Sequence, residues 1–425
     1  MAVLDDIGLR VLWDRTMRYV LSKVTLARQD YIGAFASDGV VTFQVAAGGG
    51  EEGVIPSTVR AAFEAPGPSV LSIPGLTSLR SYAMYTASTV TTVNLPDCEY
   101  VGTYAFALCS NITSMSLPNC SVVSDYGFYS CPSITTVDLP TCQTVGRGAF
   151  YSCRAISTIS LPACTLVGAN AFFDCTIGSL ALPFCEIVQA GAFKGCLYLS
   201  TVDLPMCSVV GYQAFYGCRA LKSVSLPNCV TVSDSAFYRY NALPTIDLPL
   251  CTSIGPYAFY GATSLWSASL PECTNIGSSA FFSCKLGNIS LPKCTNIGSS
   301  AFYSCSRLST VTLPACASIG SNAFRYCWDL TSLDLTSVSG VPTLGAYAFS
   351  STPIGGYTTY TGGQYGSIYV PASLYSAFVV ATNWSSVSAR IVSVNGMEYL
   401  PVSNGTISDG YLITDGTISN GYLEL

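Results

Sequence analysis

The chain has 425 residues, half of them apolar and only 10% charged, with a formal net charge of −6. Its eighteen Lys and Arg are thinly scattered and form no footprint for nucleic acid, and the absence of histidine removes the Ser-His-Asp and Cys-His nucleophile systems and the commonest metal ligand. Ser, Thr, Gly and Pro interrupt every window of about 18 residues, so no membrane-spanning helix is expected.

Residues 3–26, "VLDDIGLRVLWDRTMRYVLSKVTL", fit an amphipathic helix. Leu9, Trp13, Met17, Val20 and Val24 fall three or four apart and make one apolar stripe. Arg10, Arg15, Arg18, Lys23 and Arg28 would suit an anionic membrane surface, but Asp5, Asp6, Asp14 and Asp30 dilute them. The stripe also suits packing on a partner, on its own copies in a homo-oligomer, or on the rest of the chain. The start "MAVLDDIGLR" has neither a basic region nor an apolar core, so a cleaved leader is not expected. "GVVTFQVAAGGGEEG" (39–53) reads as a strand and then a flexible glycine linker. The attachment helix is assigned to 1–30, and the strand and linker to 31–69.

From about residue 70 the chain repeats itself. "LP-x-C" begins at Leu95, Leu117, Leu139, Leu161, Leu182, Leu204, Leu226, Leu248, Leu270, Leu291 and Leu313, in steps of 22 residues with two of 21. An "AF" pair follows each Leu by about eleven residues, from Phe106 to Phe324. The consensus is L-P-x-C-x-x-[IV]-[GS]-x-x-A-F-[YF]-x-C-x-x-[LI]-x-x-[IV]-x. Apolar steps of three fit neither a long helix nor a plain strand; they fit a coil that turns inward at each corner. One such coil cannot bury its apolar set alone, whereas stacked coils can. Only the segment before each Leu alternates as a strand, as in Thr136-Val137-Asp138-Leu139, and Pro140 then ends it. The fold class expected is a solenoid of about thirteen 22-residue leucine-rich-type, β-rich coils over 70–353, with a short N-terminal helix and a C-terminal cap. At strand spacing the stack would be about 60 Å long.

The twenty cysteines follow the same ruler, one in each half-coil on an inward corner. A free Cys behaves there as a small hydrophobe with a weak donor. Ala87, Tyr240 and Ala262 stand where Cys is expected, a swap that a disulfide partner or a metal ligand would not tolerate. Stacked side chains would point in parallel, which is poor geometry for a disulfide. Two internal cysteine ladders are therefore expected, with no metal and no cofactor.

The motif "LPxCxxIGxxAFxxCxxLxxI", over about residues 70–350, resembles the bacterial leucine-rich repeats of BspA-like surface proteins. The resemblance implies a curved right-handed solenoid, an adhesive or recognition role and no catalytic residue. The stretch "GSIYVPASLYSAFVVATNWSSVSARIVSV" (366–394) resembles the C-terminal cap that follows such arrays in gut bacteria and their phages. The N-terminal segment is similar to the attachment segments of some phage tail and virion proteins.

The cap, assigned to 354–395, should close the open end of the stack. Pro371 to Val380 looks like a short helix, with Trp384 as a lid. Two near-copies of an 11-mer, "NGTISDGYLIT" (404–414) and "DGTISNGYLEL" (415–425), end the chain within a tail assigned to 396–425. They read as short strands with D-G and N-G turns that add a strand pair or dock on another chain, or as a flexible tail.

Function must then come from a surface. The residues three and one before each Leu should point outward as a flat ladder of hydroxyls with Asp at intervals; Asp138, Ser160, Asp203, Ser225, Asp247, Thr312 and Asp334 are its candidate ligand-binding residues. Such a face serves either plain solvation of an exposed sheet or binding of a glycan or other polymer. The residue after "AF" is often aromatic: Tyr129, Tyr151, Tyr216, Tyr238, Tyr260 and Tyr303. These rings either project to stack on sugars or a protein, or lie over their neighbours. Paired catalytic carboxylates are not expected, because the Asp residues sit on different coils of a flat face. The sequence reading is a non-enzymatic recognition protein for a bacterial surface glycan or protein. Its place is a phage virion, as a tail or head fibre bound to other virion proteins through the N-terminal segment. The alternative is a BspA-like adhesin on the bacterial cell surface.

Overall fold

The computed structural model describes residues 69–239, 242–357 and 363–394 in full. Beyond these it describes the backbone of eight short strands: Ala2–Leu4, Leu9–Val11, Tyr31–Ser37, Val40–Val45, Ile407–Ser408, Tyr411–Leu412, Ile418–Ser419 and Tyr422–Leu423.

Each coil has the same three sides. The first is a three-residue strand such as Thr136–Asp138, in which a β-branched or apolar residue points inward between two polar ones. It ends where Leu139 N–H gives the last ladder bond to Ser160 O, at 3.0 Å, because Pro140 has no N–H to give. A tight turn, closed by Cys142 N–H on Leu139 O, leads to the second side, the two-residue strand Thr144–Val145. The second strands of all coils, from Ser78–Leu79 to Thr343–Leu344, form one uninterrupted parallel sheet of thirteen strands.

The third side carries the Ala-Phe pair and uses neither helix nor strand. Alternate N–H groups donate forward to the next coil, as Phe150 does to Ala171 O at 2.8 Å and Ser152 to Phe173 O at 2.8 Å. The N–H groups between them close turns within the coil, as Ala149 does on Gly146 O and Cys153 on Phe150 O. This zigzag holds two left-handed residues per coil, here Gly148 at φ 58° and Ser152 at φ 56°. At the second-strand exit, Gly168 brings its Cα against the preceding coil: a Cβ would lie 2.6 Å from Gly146 C.

The interior is a set of parallel columns. Phenylalanines from Phe106 to Phe349 stack ring on ring at 5.0–5.8 Å, close to the strand spacing expected for such a stack. All twenty cysteines are buried, and none is in a disulfide. Thiols of the first column donate to the carbonyl two residues on, as Cys142 does to Thr144 O at 3.3 Å. Those of the second column reach back one coil, as Cys153 does to Phe128 O at 3.0 Å and Cys327 to Phe302 O at 3.1 Å. Ala87 and Ala262 fill the same inward place, while Tyr240 lies outside the described residues.

Where the sequence suggests one helix from Pro371 to Val380, the chain is a strand up to Pro371, a 3-10 turn at Ala372–Leu374 and only then a helix. Strand Ser367–Pro371 joins the first-strand sheet beside Ser332–Asp334. A helix follows at Tyr375–Val380, and Trp384 is fully buried, its Nε1 donating to Pro342 O at 2.7 Å. In the tail, Ile407–Ser408 pairs antiparallel with Tyr411–Leu412, and Ile418–Ser419 with Tyr422–Leu423, with Asp409-Gly410 and Asn420-Gly421 between the strands.

Two further expectations need correction or restriction. At the N-terminus the described backbone is extended, not helical, at Ala2–Leu4 and Leu9–Val11, which pair antiparallel; Leu9-Arg10-Val11 alternates as a strand does. Trp13, Met17, Val20 and Val24 lie outside the described residues. The first-strand face is also not one flat sheet. Its ladder breaks at four seams, after Ser116, Ser160, Ser225 and Ser269. Two of these follow the places where the Leu-to-Leu step falls to 21 residues, through the shortened connections Cys175-Thr176-Ile177 and Cys284-Lys285-Leu286. A third has Pro244 where a neighbouring coil would donate its N–H.

Candidate recognition surface

The first-strand face is a polar surface built by register. Parallel pairing sets Asp138 beside Ser160, Asp203 beside Ser225, Asp247 beside Ser269 and Thr312 beside Asp334. Asp138, Ser160, Asp203, Ser225 and Asp247 are exposed, whereas Thr312 and Asp334 are half-buried. Asp334 is occupied locally, its Oδ1 accepting from Thr336 N at 2.9 Å and from Thr336 Oγ1 at 2.8 Å. One residue before each strand, hydroxyls run along the stack: Thr113 Oγ1 donates to Thr91 O and Ser200 Oγ to Gly178 O. Across these outward columns the charges are Asp138, Asp203, Asp247 and Asp334 against Lys222, so the face is mildly acidic and repels polyanions.

Tyr129, Tyr151, Tyr216, Tyr238, Tyr260 and Tyr303 lie on the third side, half-buried. Their ring faces are taken up by one another: Tyr129 stacks on Tyr151 at 5.3 Å, Tyr151 on Phe173 at 4.5 Å, Tyr216 on Tyr238 at 5.0 Å and Tyr238 on Tyr260 at 4.9 Å. The run is interrupted at Lys194, whose Nζ lies 4.9 Å over the Tyr216 ring. What this edge presents outward is ring edges, which suits the covering reading better than stacking on sugars.

Two further exposed features went unnoticed in the sequence. Phe184 and Met206, at the position between Pro and Cys, line an open groove of about 420 Å³ with Pro140 and Pro162. Trp266 is 59% exposed at the rim of the strand face, where most coils carry Thr or Ser and the two adjoining ones carry Pro244 and Gly287. Aligning the column one residue before the strands would have revealed it.

The buried thiols offer no reactive site. Burial pushes Cys98, Cys142 and Cys316 up to about 11 and Cys109, Cys196 and Cys305 up to about 12, so they stay protonated and non-nucleophilic. Among the described residues no group of His, Cys, Asp and Glu is placed to hold a metal ion, and no helix is long and apolar enough to cross a membrane.

The coil geometry, with its Leu-Pro-x-Cys corner and Ala-Phe side, agrees with a family comparison: the BspA type leucine rich repeat region matches in six copies over residues 77–199, 165–252, 186–293 and 252–361. The chain belongs to this BspA-type leucine-rich repeat family. Among solved structures it is similar to a leucine rich cell surface protein from Faecalibacterium prausnitzii, at 19% identity over 72% of this chain and 92% of that one, with a TM-score of 0.38. A leucine-rich repeat protein from Bacteroides ovatus is likewise 19% identical over 85% and 97% of the two chains, with a TM-score of 0.44. The T. pallidum leucine rich repeat protein is 25% identical over 41% and 76%, with a TM-score of 0.31. No curated protein matches the chain.

Proposed function

We propose that this BspA-type protein is a non-enzymatic recognition or adhesion protein whose first-strand face binds a glycan of a bacterial surface. The observation that carries the reading is the register: short hydroxyl and carboxylate side chains repeat outward from consecutive strands, Asp138 beside Ser160 and Asp203 beside Ser225. Each supplies acceptors, and the hydroxyls donors, at one repeat distance along an extended polymer. A stiff column of stacked rings behind the face keeps that spacing fixed, so little ordering entropy is lost on binding.

The test is a glycan array with the intact chain and with Asp138→Ala and Asp203→Ala. The reading expects a defined set of glycans for the intact chain and weaker binding for both variants. Binding untouched by both substitutions removes the strand face as the site. The finer proposal is that the protein is carried on a phage particle and held there by its N-terminal segment. A mass-spectrometric count in purified virions supports it; recovery only from bacterial wall fractions refutes it in favour of a cell-surface adhesin.

A further inference from the structure

The four seams are not alike. At the one after Ser269 the strand group Thr245–Asp247 and Ser267–Ser269 ends, and the next group begins at Asn288–Ser290. Gly287 N–H still reaches Trp266 O at 3.1 Å, but no ladder bond joins the two strands beyond it. The inward residue here is Ala268, half-buried like its counterparts Met115, Ile159 and Val224 at the other three seams but smaller than any of them. A Cβ on Gly287 would meet nothing within 4 Å. Trp266 stands beside these two small residues, exposed and making no ring contact among the described residues. Beside it, Asn288 Oδ1 accepts from Ser309 Oγ at 2.7 Å and Thr310 Oγ1 at 2.6 Å. That fixes the amide and leaves Nδ2, with its two hydrogens, as a donor. Asp247 and Ser269, side by side in register, supply an exposed acceptor and a hydroxyl.

We propose that this seam is a subsite for one neutral pyranose residue of a polysaccharide, anchored by Trp266 and oriented by Asn288 and Asp247. The inference rests on the strand-face reading above and names its anchoring point. The negative indole face attracts the polarised C–H bonds of a sugar ring, while the amide and carboxylate take its hydroxyls. An apolar platform with few fixed polar groups is the ordinary make-up of a small-ligand site. The acidic surroundings exclude uronic or sulfated sugars, so the occupant is uncharged.

The test uses immobilised mannan, dextran and β-glucan as probes, with polygalacturonate as the acidic comparison. Trp266→Thr removes the ring and gives the residue type found at Thr113, Thr135 and Thr331, and Gly287→Thr adds bulk beside Trp266; circular dichroism checks that each variant folds. The intact chain should be retained on at least one neutral polymer and not on polygalacturonate. Both variants should bind that polymer at least about tenfold more weakly, as loss of an aromatic anchor does. Folded variants that bind as the intact chain does, on a polymer whose binding Asp138→Ala and Asp203→Ala weaken, overturn the subsite and leave the face reading standing. An intact chain retained on no neutral polymer overturns both.

Discussion

The rings of Phe349 and Trp384 meet with centroids 5.8 Å apart and planes tilted by 48°. Phe349 is the last rung of the phenylalanine column, and Trp384 is the cap residue that covers it. Phe378 meets the indole edge-on at 4.9 Å and its Nε1 donates to Pro342 O, while the preceding Asn383 ties the segment to the array through Nδ2 on Leu344 O at 2.6 Å. A terminal coil without this lid would expose core and an open sheet edge. Trp384→Ala should therefore cost about 3–5 kcal/mol, the usual figure for truncating a buried large aromatic. Because each coil touches only its neighbours, the loss should begin at the last coils. Urea unfolding with hydrogen exchange along the array checks both points; uniform loss of protection over all coils contradicts the second.

The thiols give a second expected outcome. With all twenty buried in the columns, iodoacetamide at pH 7.5 should label few of them in the folded protein and all of them in guanidinium chloride. Mass spectrometry counts the adducts. Extensive labelling of the native chain within minutes would place the cysteines at the surface and undo the column arrangement.

Much of this architecture is legible in the sequence because one rule is repeated. Leu139, Cys142, Val145, Phe150 and Cys153 recur in copy after copy, and a period that no helix or strand satisfies leaves a stacked coil. The alternation of Thr136-Val137-Asp138 likewise gives the outward direction of the strand residues, and Trp384 is readable as a lid because it is a large apolar residue just past the end of the array. The seams are harder to see. Three of the four depend on a single missing residue or on a Pro whose effect is a hydrogen bond not made, as at Pro244. The stacking of Tyr238 between Tyr216 and Tyr260 depends on the left-handed turns that flank the Ala-Phe pair, and the motif does not state ring orientation. Trp266 escapes for a different reason: it breaks the consensus at a variable position, where a repeat-based reading looks least.

Raised thiol pKa values also couple stability to alkaline pH. Burial raises nineteen of the cysteines above the ordinary value. A thiol in the unfolded chain ionises near pH 8.5, roughly. Below that pH both states hold the proton and stability is unaffected. Above it the unfolded chain releases protons that the folded chain keeps until about pH 11–12, so stability falls as pH rises through this window. At pH 9.5 each such thiol favours unfolding by about 1.4 kcal/mol. The midpoint of thermal unfolding, followed by circular dichroism, should drop steeply from about pH 9 upward. A midpoint unchanged between pH 7 and pH 10 would contradict the burial.

The tyrosine edge supplies the last expectation, and it separates covering from recognition. Tyr238 is sandwiched between Tyr216 at 5.0 Å and Tyr260 at 4.9 Å, both nearly parallel to it. Each stacked pair contributes about 0.5–1.5 kcal/mol beyond the buried area. Tyr238→Ala should therefore lower the unfolding free energy by about 1–3 kcal/mol, and Tyr238→Phe, which keeps the ring, should be close to neutral. Because both ring faces are already occupied, neither variant should change retention on a polysaccharide that the strand face binds. Denaturant titration measures the first effect and the immobilised-polymer assay the second. A Tyr238→Ala variant of unchanged stability that loses its ligand would move the recognition site from the strand face to this edge.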